Sequence, residues 1–206
     1  YCVMETDIQE LKLNLRQSNI KYLKVAITDI DGVLRGKYMH VDKFLKSIES
    51  GYGFCDVIFG WDSSDALYEF KISDEQNLFT GWHTGYPDQI VRIILDSQRT
   101  IPFERNTPFF LSELKDGEVC PRNALKKTLD LLKELGFQGK SALEYEFFLF
   151  NETPHSVREK DFQNLVSLTP GMFGYSLLRN SVHSDLFQEI LGMCESMDLP
   201  LEGLHT

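Results

Sequence analysis

Two glutamates one residue apart form the most informative feature for chemistry. Glu144 and Glu146 stand in the stretch S-A-L-E-Y-E-F-F-L-F at 141–150, which is predicted to be a β-strand. Side chains on a strand alternate between faces, so both carboxylates project from one face and the opposite face belongs to a core. Two close carboxylates in half-apolar surroundings repel each other unless one is protonated or a cation lies between them. Such oxygen ligands suit Mg²⁺ or Mn²⁺.

The alternative for this pair is the solvated face of an amphipathic strand, which is the usual setting of a bare E-x-E sequence. Glutamate is uncommon in strands, and aromatic residues surround this pair, so both observations weaken the alternative. The residue types leave a metal site and a solvated face both open.

A second pair of carboxylates follows an apolar segment near the N-terminus. Asp29 and Asp31 precede Gly32 in a pattern similar to the first motif of haloacid-dehalogenase phosphatases, in which one aspartate accepts a phosphoryl group. That chemistry also needs a further acidic pair after an apolar strand, which the sequence does not show. The simpler alternative is a hairpin turn at Asp31-Gly32.

Apolar spacing predicts the elements that position these residues. The predicted helices lie at 5–18, 41–50, 121–135 and 184–197. The predicted strands lie at 22–30, 33–39, 91–96 and 141–150, with a further one beginning at Leu199. Pro121 stands where a first helical residue is expected, and Gly51 and Gly136 end their helices. We expect a small strand-dominated domain first and a change of organisation near Cys120.

Composition restricts the class of protein. Acidic residues outnumber basic ones by 31 to 21, and the net charge of −10 argues against nucleic acid as a partner. The four cysteines form no C-x-x-C pair, which argues against a disulfide framework or a structural zinc site and favours a reduced, cytoplasmic protein. No apolar stretch approaches the roughly 20 residues that span a bilayer, so we expect no membrane partner.

Five separate stretches together resemble the glutamine synthetase family. In chain order they are T-D-I-D-G-V-L-R-G-K at 28–37, G-F at 53–54 with W-D-S-S at 61–64, R-T-I-P-F at 99–103, C-P-R at 120–122 and E-Y-E-F-F-L-F at 144–150. The last stretch is the most specific, because it is close to the family's G-x-E-x-E-F-F-L-F. The resemblance covers residues 20–206.

The resemblance implies an α+β protein. An N-terminal helix at 1–19 would precede a β-grasp domain at 20–113. The first part of a catalytic domain, a curved antiparallel sheet with helices, would follow at 114–206. It also implies ATP-dependent joining of the γ-carboxylate of glutamate to ammonia or another amine through γ-glutamyl phosphate. ATP would be a co-substrate, and the whole protein would be a ring-shaped homo-oligomer.

Four site residues follow from the same resemblance. Glu144 and Glu146 would bind two different Mg²⁺ or Mn²⁺ ions in one site. Asp62 matches the aspartate of the family's D-G-S-S loop, which helps bind ammonium, but the glycine of that loop is missing here, so another amine is also expected as a substrate. The alternative for Asp62 is a solvated aspartate in a polar loop. Glu202 matches an acidic residue near the nucleotide, and His205 could face the same site.

The resemblance also places two expectations on activity. The family's remaining metal ligands and phosphate-binding arginines come later in the chain than Thr206, so we expect a 206-residue fragment that is inactive alone. Arg35, Lys37, Arg99 and Arg122 are accordingly interpreted as structural or surface charges. A catalytically silent relative of the family remains the alternative to a ligase.

Overall fold

A β-hairpin, a helix packed on it and three further strands make up the N-terminal part of the protein. The computed structural model describes residues 5–68, 79–117 and 119–205, which fall into two compact units at 1–139 and 140–206. The elements of the first unit are α1 (Glu5–Gln17), β1 (Tyr22–Thr28), β2 (Leu34–His40), α2 (Val41–Ser50), β3 (Tyr52–Cys55), β4 (Asp88–Ile101), β5 (Thr107–Leu114) and α3 (Pro121–Glu134). Short 3₁₀ helices lie at Asp56–Phe59 and Pro102–Glu104.

The five strands form one mixed sheet in the order β2-β1-β5-β4-β3. β1 and β2 pair antiparallel, whereas β1 and β5 run parallel at the centre of the sheet. The predicted strand at 91–96 is the middle of the longer β4, whose register shifts between Ile94 and Arg99. Ser97 stabilises this bulge, because its hydroxyl donates to the Ile94 carbonyl at 2.5 Å and accepts the Leu111 N–H at 2.8 Å. The helices together with this mixed sheet confirm the predicted α+β class.

The apolar face of α2 provides the centre of the core. Phe44 is fully buried, and its ring centroid lies 4.7 Å from that of Phe110 on β5. Tyr52 is buried on β3 and donates its hydroxyl proton to Ser112 Oγ at 3.0 Å. Burial of the phenol raises the pKa of Tyr52 to about 12, so this hydrogen bond is kept by a neutral side chain at all ordinary pH values.

The second unit is built from short helices joined by loops. Its helices are α4 (Pro154–Glu159), α5 (Leu177–Val182) and α6 (Ser184–Ser196). α6 confirms the prediction at 184–197, whereas α4 and α5 were not predicted. None of the described residues from 121 to 205 is buried. No helix in the described ranges is long and apolar enough to cross a membrane.

The two strands predicted for this unit are wrong in the structure. Residues 141–149 adopt no strand, and Phe150 makes a single isolated bridge with Ser167. The segment from Leu199 to His205 is likewise without strand pairing in the described residues. A strand is stabilised by hydrogen bonds to a neighbouring strand and by burial of one face. Among the described residues, no strand lies beside either segment.

Candidate functional site

The carboxylate of Asp29 is fully occupied inside the first hairpin. Its Oδ1 accepts the N–H groups of Asp31 at 3.0 Å and Val33 at 2.9 Å, and its Oδ2 accepts Arg35 Nε at 2.8 Å. The Gly32 N–H donates to the Asp29 carbonyl at 3.2 Å and closes the turn, with Gly32 at a φ of 85° that glycine adopts without strain. A phosphoryl acceptor needs an accessible oxygen, and Asp29 is completely buried. The phosphatase hypothesis is therefore wrong, and the hairpin turn is confirmed.

Arg35 connects this hairpin to the W-D-S-S-D loop at 61–65. Besides Asp29, its guanidinium pairs with the Asp65 carboxylate and donates from Nη2 to the Asp62 carbonyl at 3.1 Å. The guanidinium carbon also lies 5.2 Å from the centroid of the Trp61 ring. The prediction of a structural role for Arg35 is confirmed, because one planar cation with five donors joins two separate segments, the hairpin and the loop.

Asp62 shapes its own loop. Its Oδ1 accepts the N–H groups of Ser64 at 2.7 Å and Ala66 at 3.0 Å, as expected of an Asx turn. Burial, followed by the charges of Asp31, Asp62 and Asp29, raises the pKa of Tyr68, so the hairpin and the loop present carboxylates to one phenol. The Asp62 carboxylate is thus held by two backbone N–H groups, and its predicted contact with an amine stays a prediction.

The predicted metal ligands lie in the second unit and face solvent. Glu144 and Glu146 are both exposed, in a segment that is not a strand. Glu144 Oε1 lies 4.0 Å from His205 Nε2, and the His205 ring stacks on Tyr175 with a centroid distance of 4.5 Å. The structure thus brings Glu144 and His205 together. Glu202 is exposed in the segment after α6.

These donors fit part of a metal site. Carboxylate oxygens suit Mg²⁺ or Mn²⁺, but Mg²⁺ requires about six ligands in octahedral geometry. No group of three or more histidine, cysteine, aspartate or glutamate side chains in the described residues is close enough to hold a metal ion. The described residues therefore do not complete a metal site.

A buried carboxylate on β5 was missed by the sequence reasoning. Glu113 is 2% exposed and pairs with Arg92, Arg122 and Lys126. Burial alone would raise its pKa, but hydrogen bonds from Lys126 and Arg92 outweigh burial and hold the pKa of Glu113 below its usual value. The signal was a single charged residue near the end of the apolar strand T-P-F-F-L-S-E-L. Arg122, interpreted from the sequence as a structural or surface charge, pairs with this carboxylate and keeps 36% of its side chain exposed.

Glu152 forms a smaller network in the second unit. Its carboxylate accepts hydrogen bonds from Lys160 Nζ at 2.5 Å, Ser156 Oγ at 2.6 Å and the Val166 N–H at 2.8 Å. Lys160 has the largest effect, and the three donors together lower the pKa of Glu152 to about 2. Glu152 therefore stays ionised and joins the start and end of the segment 152–166.

Comparison with known proteins places these features in a family. The family model described as glutamine synthetase, catalytic domain, matches residues 118–206. The type-1 glutamine synthetase 2 of Dictyostelium discoideum is 45% identical over 204 residues, which cover 96% of this chain and 38% of that protein. The glutamate–isopropylamine ligase of a Pseudomonas species is 29% identical over 198 residues, covering 93% of this chain and 42% of that protein.

A solved structure gives the same result for the fold. The crystal structure described as a novel glutamine synthase homolog matches with a TM-score of 0.60 over 92% of this chain and 41% of its own, at 12% identity. The fold is therefore that of the glutamine synthetase homologues. The chain belongs to the glutamine synthetase family, and it spans about two fifths of the length of the curated relatives it matches.

Proposed function

We propose that the protein is an ATP-dependent ligase that joins the γ-carboxylate of glutamate to ammonia or another amine. The observation that carries the proposal is the 45% identity to a type-1 glutamine synthetase over 96% of the chain. Transfer of a phosphoryl group from ATP would convert the carboxylate into γ-glutamyl phosphate. The amine nitrogen would then displace phosphate, so that one C–N bond forms and one C–O bond breaks.

The proposed roles of the site residues follow the sequence match. Glu144 and Glu146 are proposed as ligands of Mg²⁺ or Mn²⁺, supported by their carboxylate chemistry and by their accessibility. Asp62 is proposed to contact the amine and Glu202 to lie near the nucleotide. The rigid Asx turn of Asp62 supports its role, because a preorganised carboxylate orients a cationic substrate at little entropic cost.

We propose ammonia or an alkyl amine as the acceptor of the γ-glutamyl group. One relative is named for glutamine synthesis and another for isopropylamine. The loop at 61–64 has W-D-S-S where the family's D-G-S-S is expected, which favours a departure in amine preference. One methylene more or less on the amine changes its binding to an apolar pocket by about 1–3 kcal/mol. A small change in this loop is therefore enough to alter which amine is preferred.

The proposed domain organisation and setting complete the function. The central parallel pair β1–β5, flanked by the β1–β2 hairpin and packed against α2, supports a β-grasp domain at 20–113 after a helix at 1–19. The catalytic domain would begin at 114. We propose a cytoplasmic, ring-shaped homo-oligomer without nucleic-acid or membrane partners.

The test is phosphate release from ATP, measured with glutamate, a divalent metal and a series of amines. Full-length protein containing this chain is expected to turn over, and the 206-residue chain alone is expected to be inactive. Glu144→Gln and Glu146→Gln should each lower the activity of the full-length protein by about 100-fold or more, because a lost ligand weakens metal binding. Glu189→Gln, an exposed carboxylate on α6, is the matched control and should leave activity unchanged.

Two outcomes would contradict the proposal in different ways. Absence of phosphate release by the full-length protein with every amine would favour the catalytically silent relative. Turnover by the 206-residue chain would refute only the expectation that it is inactive alone.

A further inference from the structure

Three cationic side chains converge on the one carboxylate of Glu113. Arg92 Nε lies 2.6 Å from Oε1, Lys126 Nζ lies 2.9 Å from Oε1, and Arg122 Nε lies 3.4 Å from Oε2. The cations come from two elements, with Arg92 on β4 and the other two at positions i and i+4 of α3. A buried anion on a rigid strand therefore fixes three cationic groups in one place.

Among the described residues, the ion pairs of this cluster join three positive charges to one negative charge. They leave an excess of two positive charges, in a chain whose net charge is −10. One carboxylate is enough to neutralise only one of the three, and like charges held together repel each other. The cluster therefore favours binding of a second anion.

The cations keep part of their surface in contact with solvent. The side chain of Glu113 is 2% exposed, whereas those of Arg92, Arg122 and Lys126 are 49%, 36% and 50% exposed. Each guanidinium carries five N–H donors and an ammonium carries three, and the two oxygens of Glu113 engage only some of them. Part of each cationic side chain is thus accessible to a ligand.

The N-terminus of α3 strengthens the same preference. This helix has 14 residues, and Arg122 is its second. The side chain of its N-cap residue, Cys120, makes no capping hydrogen bond to the described residues of the first turn. The helix dipole places a partial positive charge here, next to the two cations of α3.

We propose that Arg92, Arg122 and Lys126 form a binding site for a phosphate group, organised by Glu113. A phosphate dianion matches the excess charge of the cluster, and its oxygens accept the forked donors that two arginines provide. The ligand is either free inorganic phosphate or the terminal group of a phosphomonoester. The site uses none of the residues proposed for ligation, and it extends the structural role of Arg122 to ligand binding.

The experiment is a calorimetric titration of the 206-residue chain without divalent metal, with inorganic phosphate and, separately, with O-phosphoserine. Sodium chloride at matched ionic strength serves as the reference, because general screening acts on all exposed charges. We expect saturable binding of at least one of the two ligands beyond the chloride reference. The tighter of the two identifies the source of the phosphate group.

Variants locate the binding on the molecule. Arg122→Gln and Lys126→Gln should each weaken binding by roughly 10- to 100-fold, which corresponds to the loss of one charge-assisted hydrogen bond. Lys133→Gln removes the same charge from the exposed last turn of α3 and should leave the affinity unchanged. Thermal unfolding of each variant without ligand verifies that it is folded.

Either of two results would overturn the proposal. One is the absence of binding of both ligands beyond chloride. The other is an equal affinity of Arg122→Gln, Lys126→Gln and Lys133→Gln, which would place phosphate elsewhere. Neither result depends on ligase activity, so the proposed function is tested separately.

Discussion

The two compact units use their apolar residues in opposite ways. In residues 1–139 the apolar faces of α2 and the sheet are buried against each other, and Phe44 and Phe110 are fully enclosed. In residues 140–206, as far as they are described, every large apolar side chain keeps contact with solvent, with Phe148 84% and Met172 94% exposed. Apolar content is therefore not sufficient for a core, because a core also needs paired elements whose faces meet.

Polar contacts are present in both units but stabilise different things. In the first unit, the buried carboxylate of Glu113 joins β5 to β4 and α3, and the buried carboxylate of Asp29 closes the first hairpin. In the second unit, Thr153 and Ser156 form a capping box at the start of α4, and Glu152 joins residues at most fourteen positions away. Local hydrogen bonds of this kind define loops and helix ends, whereas long-range burial provides most of the free energy of folding.

The largest expected contrast comes from removing one phenylalanine in each unit. Phe44→Ala should lower the free energy of unfolding by about 3–5 kcal/mol, because it leaves a cavity at the centre of the core. Phe148→Ala, in which the removed side chain is already solvated, should change it by less than about 0.5 kcal/mol. Urea unfolding followed by circular dichroism measures both. Equal effects would contradict the difference between the two units.

A smaller effect is expected at the hairpin. Asp29→Ala leaves two backbone N–H groups and Arg35 Nε without their acceptor, and should cost about 1–3 kcal/mol. Asp29→Asn keeps Oδ1 as an acceptor for the backbone and should cost less. Limited proteolysis within 61–66 should increase in Asp29→Ala, since Arg35 also positions that loop. Unchanged proteolysis would show that the loop is held independently of the hairpin.

The smallest effect is local and depends on pH. The pKa of Glu152 is lowered from 4.5 to about 2, so its stabilising contribution is fully present above about pH 4.5 and is lost as the pH falls through about 2. The protection factor of the Val166 amide, which is its exchange relative to the intrinsic rate at each pH, should fall over this interval. In Glu152→Gln the Val166 amide should be less protected already at neutral pH and should show no such transition.

The matched control is again Glu189→Gln, which should reproduce the wild-type profile. A transition near pH 4.5 in the wild type would mean that Lys160 does not keep the Glu152 carboxylate ionised. Glu152 would then not connect the two ends of segment 152–166 in the way described above.

Most elements of the first unit were predictable because their signals are local. The spacing of Val41, Phe44, Leu45 and Ile48 predicted α2, and Asp31-Gly32 predicted the turn between β1 and β2. The predicted strand at 141–150 failed for the opposite reason. Alternation of side chains describes what a strand would look like, but strand formation depends on a partner elsewhere in the chain.

The candidate site divides in the same way. The type and spacing of Glu144 and Glu146, together with the four other stretches, were enough to indicate the family, which the comparisons confirm. The role of Arg35 as a connector was not visible in R-G-K, because its partners Asp62 and Asp65 come about thirty residues later. Contacts over such separations are set by how the sheet and its loops pack.

Local periodicity thus determined the helices of the first unit and its hairpin, and the resemblance of five motifs indicated the glutamine synthetase family. Only the tertiary structure decided which carboxylates are buried, which cations hold them ionised, and which apolar segments find a partner. The physical reason is that a backbone conformation depends on neighbours within a few residues, whereas the environment of a charge depends on everything folded around it. Glu113 has the same side chain as Glu144, yet one is enclosed by three cations and the other faces water.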